Sequence, residues 1–115
     1  MVWHYTQQEP ARVVTELHVG QRRRTINYLI EQLPEAETEA TGYTHRCKSA
    51  TLLPGVWNYD SIVDALVTAE YPRDKMDAVV NNYIADPADP EHLAEFNAMQ
   101  SWRTKAKQLA KEVLD

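Results

Sequence analysis

At 115 residues, 43% hydrophobic and 25% charged, the chain is long enough to bury one core without disulfide or metal staples, and its composition excludes disordered, collagenous and fibrous classes. The net charge of -5 is unevenly placed: residues 1 to 57 carry six basic and six acidic side chains, residues 58 to 115 six basic and eleven acidic. Duplex-binding domains need the opposite balance, because their affinity comes from neutralising phosphates. Cys47 is the single cysteine, which excludes an intrachain disulfide and a cysteine-rich zinc site.

No segment approaches the roughly 18 consecutive apolar residues of a membrane span. The first eight residues, Met1 to Gln8, lack the basic-then-apolar order of a secretory signal. The expectation is one cytoplasmic globular domain over residues 1 to 115.

Taken in chain order, Val13, Thr15, Leu17 and Val19 alternate at period two, predicting a strand over about 12 to 19. Gly20 interrupts the pattern. At about 100° per residue, Ile26, Leu29, Ile30 and Leu33 share one helical face, predicting a helix from Gln21 to Leu33 that stops at Pro34. Residues 35 to 42, rich in Glu, Thr and Ala without apolar periodicity, read as a solvated, flexible loop. Tyr43 to Leu53 alternates partly, as a half-exposed strand does, and Pro54-Gly55 supplies the turn that ends it.

In the second half, Asn58 or Ser61 can cap a helix beginning near Tyr59, with Ile62, Val63, Ala65, Leu66 and Ala69 on its apolar face. Pro72 ends that helix and opens the next, in which Met76, Val79, Val80, Tyr83 and Ile84 recur at three and four. Asp86-Pro87-Ala88-Asp89-Pro90 closes it, and Asp89 caps a final helix reaching Leu114. There Leu93, Phe96, Met99, Trp102, Ala106, Leu109, Ala110 and Val113 form one broad stripe, with acids near the start and bases near the end complementing the dipole. The pattern predicts an α+β fold: a small antiparallel sheet from the N-terminal half packed with about four helices, three of them C-terminal. A mostly helical domain with one hairpin is the alternative.

Candidate chemistry is sparse. His45 and Cys47 share a strand face at His-x-Cys spacing, but two ligands do not complete a zinc site. Asp60 with Asp64, and Asp74 with Asp77, fall on common helical faces, where favourable first-turn charge accounts for them. Asp86, Asp89 and Glu91 lack the glycine and terminal glutamate of a calcium loop. Gly20, Gly42 and Gly55 are too dispersed for a phosphate loop. The expectation is no catalytic residue, no metal and no cofactor. Arg22, Arg23 and Arg24 form the one dense basic run, and would spread over about 200° of a helix. Arg103, Lys107 and Lys111 line a helix face at i, i+4 and i+8, as a solvated flank.

Aromatic residues are the more informative surplus. Trp57, Tyr59, Tyr71 and Trp102 sit at or near helix ends and stripes, where Tyr and Trp fill core edges or anchor protein interfaces.

The runs Leu53-Pro54-Gly55-Val56-Trp57-Asn58-Tyr59-Asp60-Ser61-Ile62-Val63, Ala69-Glu70-Tyr71, Asn81-Asn82-Tyr83 and Glu95-Phe96-Asn97-Ala98-Met99-Gln100-Ser101-Trp102-Arg103 resemble small uncharacterised proteins encoded in prophage regions. The resemblance spans about half the chain and rests on aromatic and capping residues; it implies a phage accessory or structural role, virion-associated in that case. The expected function is a non-enzymatic protein-interaction module that binds a protein partner or itself. The alternatives are nucleic-acid association through Arg22 to Arg24, or an enzyme whose site leaves no motif.

Overall fold

A computed structural model of the chain describes residues 3–18, 21–52 and 57–114. They build an α+β fold in two compact units, Met1–Trp57 and Asn58–Asp115. The first unit holds strands β1 (His4–Thr6), β2 (Val13–His18), β3 (Gln21–Gln32) and β4 (His45–Leu52), with helix α1 (Glu35–Thr41) between β3 and β4. The second holds α2 (Tyr59–Glu70), α3 (Arg73–Ala85) and α4 (Pro90–Leu114).

The strands form one antiparallel sheet in the order β1-β4-β3-β2. β2 and β4 fall where the alternation of the sequence puts them. Residues 21 to 32, expected as a helix, are instead the longest strand, and the reason lies in a bulge. Up to Tyr28↔Lys48 each step along β3 is matched on β4, but Glu31 pairs with Arg46, so β3 carries one extra residue between. Leu29 sits in this interval with φ 51, the left-handed conformation in which a bulge turns. The extra residue shifts the alternation by one, so that buried Ile26, Tyr28 and Leu33 are spaced two and then five apart. The seven-residue step from Ile26 to Leu33 imitates two helical turns, while Thr25, Ile26, Tyr28 and Ile30 are residues that favour strands.

Strand alternation puts Thr25, Asn27, Cys47, Ser49 and Thr51 on the opposite side from Ile26 and Tyr28. A polar chain crosses that side: Ser49 Oγ donates to Asn27 Oδ1 at 2.7 Å, Asn27 Nδ2 donates to the Ala11 carbonyl at 2.8 Å, and the Thr25 and Thr51 hydroxyls meet at 3.2 Å. A slip by one residue breaks all three, so they fix the register of β3 on β4 and tie the segment before β2 to β3.

Residues 35 to 41, expected as a loop, are helical. Glu and Ala are good helix formers, Glu35 and Glu37 lie in the first turn, and Gly42 at φ 81 ends the helix with its N–H donating to the Thr38 carbonyl. None of its residues is buried, which explains why it left no apolar period in the sequence. β1 was not expected either; three residues are too few to display a period. The proposed turn at Pro54-Gly55 lies outside the described residues.

In the second unit the capping chemistry acts as written in the sequence. Asn58, in an extended conformation, caps α2 by accepting from the Ser61 N–H at 2.9 Å. Pro72 stands one residue before α3 as its N-cap. Asp89 Oδ1 accepts from the Glu91 and His92 N–H groups at 2.8 and 3.3 Å, with Pro90 in the first turn of α4. α4, 25 residues long and so about 37 Å, packs against both α2 and α3. Ile62 and Leu66 of α2 and Met99, Ala106 and Ala110 of α4 have no residual exposure. The Trp102 indole N–H of α4 donates to the Leu66 carbonyl of α2 at 3.0 Å. No helix among the described residues is long and apolar enough to cross a membrane.

Candidate functional site

The spacing of residues on three helices opens a groove within the second unit. Val63 and Val67 of α2, Met76 and Val80 of α3 and Met99 of α4 supply its apolar lining, and its volume is about 470 Å³. Asp60 and Asp64 flank Val63 on α2, and Asp77 follows Met76 on α3. α4 presents Arg103 and Lys107 one helical turn apart, in line with Met99. Asp60, Asp64, Asp77, Arg103 and Lys107 are all exposed. None of the five takes part in an ion pair among the described residues, unlike Arg23 with Glu16 at 3.7 Å or Arg46 with Glu31 at 2.6 Å. The groove therefore has a greasy lining, carboxylates from α2 and α3, and cations from α4, with the charges available to an incoming molecule.

A second hollow of about 420 Å³ is lined by Tyr71, Lys75, Val79, Asn82 and Glu95. Burial pushes the Tyr71 hydroxyl pKa up, reinforced by the negative charges of Glu70 and Glu95, while Lys75 Nζ lies 4.7 Å from its ring centre. These contacts are satisfied within the unit and leave little for a ligand.

The aromatic residues picked from the sequence do not converge. Tyr59 lines the groove and Tyr71 the second hollow. Trp102 is committed to the α2 contact. Trp57 belongs to the first unit, where the Arg24 guanidinium lies 4.8 Å from its ring centre.

The arginine run is likewise divided. On a strand, successive residues point to opposite sides, so Arg23, near Glu16, and Arg24, over Trp57, cannot serve one phosphate track. The Arg22 side chain lies outside the described residues. Cys47 is buried, its thiol pKa raised by burial against the lowering effect of the Ser49 hydrogen bond; a neutral, inaccessible thiol is a poor nucleophile. His45 Nδ1 lies 2.8 Å from the Thr44 hydroxyl. Among the described residues no three His, Cys, Asp or Glu side chains come together as a metal site would require.

Sequence reasoning missed a cluster at the β1–β4 end of the sheet. Arg46 lies 4.0 Å and Lys48 5.0 Å from the Trp3 ring centre, and Tyr5 and Tyr43 approach to 6.0 Å. The signal was present as alternate cations, Arg46 and Lys48, on a strand, but it becomes legible only once β1 is known to pair beside it. No family model, no curated protein and no solved structure matches this chain.

Proposed function

We propose that the chain is a non-enzymatic protein-interaction module, a phage-derived accessory or structural protein, whose helical unit receives an amphipathic segment of a partner protein in the α2–α3–α4 groove. The observation that carries this reading is the charge division around an apolar lining. An amphipathic helix laid in the groove buries its apolar face against the half-buried Val63, Met76 and Val80, turns a basic flank to Asp60 and Asp64, and turns an acidic flank to Arg103 and Lys107. Helix-in-groove recognition combines these two elements, and charge complementarity sets the orientation of the bound segment. The prophage resemblance supplies the context.

A photoreactive phenylalanine analogue in place of Met76 tests the proposal in a lysate of the native host. The expected result is a discrete crosslinked polypeptide that disappears in the double variant R103E/K107E and persists in K105E, a change outside the groove lining. Absence of a crosslinked polypeptide, or equal capture by R103E/K107E, overturns the proposal.

A further inference from the structure

We propose that the β1–β4 end of the sheet is a binding surface for short single-stranded nucleic acid. This rests on the first unit alone and is independent of the groove. Register brings its parts together: Tyr5 of β1 pairs with Arg46 of β4, which pairs with Glu31 of β3, so the three side chains stand in a row on one side of the sheet. Arg46 Nε donates to Glu31 Oε2 at 2.7 Å, which orients the guanidinium while it lies over Trp3. The hydrogen bond to Glu31 above all, and more weakly the Glu31 charge and the Tyr5 hydroxyl, hold the Arg46 pKa above its ordinary value against the lowering effect of desolvation. Lys48, two residues on along β4, lies on the same side, 5.0 Å from the Trp3 ring centre.

Tyr5 and Tyr43 are 49% and 40% exposed. Rings this open, and tilted 47° to one another, offer aromatic faces at the surface beside two cations. Stacking platforms combined with backbone-tracking cations are the two requirements of sequence-tolerant single-strand binding. The carboxylates of the first unit are concentrated elsewhere: the four strands carry Arg22, Arg23, Arg24, Arg46 and Lys48 against Glu16 and Glu31, while Glu35, Glu37 and Glu39 belong to α1.

The Leu29 bulge supports the same placement. A leucine at positive φ is strained, and such strain persists where the surrounding structure requires it. Its effect here is to place Glu31, rather than an apolar residue, opposite Arg46. Free bases fit this surface better than an acidic peptide, because the Glu31 carboxylate already occupies Arg46 and repels another, while the Tyr5 and Tyr43 rings remain exposed. A duplex hides its bases and gains nothing from the tyrosines.

The test is fluorescence anisotropy of the full chain with a labelled oligothymidylate of about a dozen bases, followed against salt. Binding at low salt is expected, with log affinity falling against log salt at a slope of about -0.7, the value for one neutralised phosphate, since Glu31 already pairs with Arg46. Y5A/Y43A should weaken binding at least about ten-fold, K48A should flatten the slope, and Trp3→Phe should remove part of the tryptophan quenching seen on titration. Arg23→Ala, on the other side of the sheet, should change little. Both tyrosines are exposed, so circular dichroism of Y5A/Y43A is expected to match the parent. Failure to bind at low salt, equal binding by Y5A/Y43A, or equal competition by a polyglutamate peptide overturns the proposal.

Discussion

α2 and α3 are helices of similar length, 12 and 13 residues, and both pack on α4, yet they are held in different ways. α2 buries Ile62, Leu66 and Val67 and accepts the Trp102 indole at its backbone; α3 buries Val79 alone and leaves Ile84 70% exposed. Their sequences do not announce this, since each carries five apolar residues at helical spacing. The difference lies in what α4 offers each: its Trp102 donates to the α2 backbone, whereas α3 meets it at the stacked rings of Tyr83 and Phe96, 4.2 Å apart. An amphipathic face is an offer of burial, and the partner decides how much is taken up. The apolar residues of α3 left half-buried, Met76 and Val80, are those lining the groove.

If α2 is the anchor of the unit, Leu66→Ala should give the largest loss, about 2–5 kcal/mol for a fully buried leucine, measured by urea unfolding. Val79→Ala should cost less, and equal losses would break the comparison. Trp102→Phe keeps the ring but removes the donor to the Leu66 carbonyl, and should cost about 0.5–1.5 kcal/mol.

Tyr71, at the end of α2, sharpens the comparison through pH. Its hydroxyl pKa is raised in the folded chain, so its contribution is fully present below the unfolded tyrosine pKa and is lost as pH rises through the folded one. Tyr71→Phe should therefore lessen the alkaline fall of the thermal midpoint; the raised Cys47 thiol contributes with the same sign and remains. The smallest effect belongs to Ile84→Ser, expected within about 0.5 kcal/mol of the parent because the side chain is mostly in water. A larger loss would show that α3 is held at its exposed end after all.

Where a structural decision depends on one or two neighbouring residues, it could be read in advance. Asn58 and Asp89 cap the helices they precede because a side-chain acceptor two or three residues before an open N–H is a local matter, and Pro72 separates α2 from α3 for an equally local reason. The antiparallel sheet and three C-terminal helices followed. The groove was half legible: the Asp60–Asp64 and Arg103–Lys107 pairs are visible at i and i+4, but nothing in the order of residues says that both pairs line one groove.

Amino-acid order thus determined the α+β class, the caps and the apolar faces, since these arise from backbone chemistry and periodicity within a few residues. Tertiary structure alone decided that residues 21 to 32 form a strand, because pairing with β2 and β4 supplies hydrogen bonds that outweigh a weak helical pattern, and the bulge at Leu29 conceals the strand period. It also decided which charges share the groove and which rings gather beside Arg46. Proximity between segments far apart in the chain is a property of packing, and no local pattern encodes it.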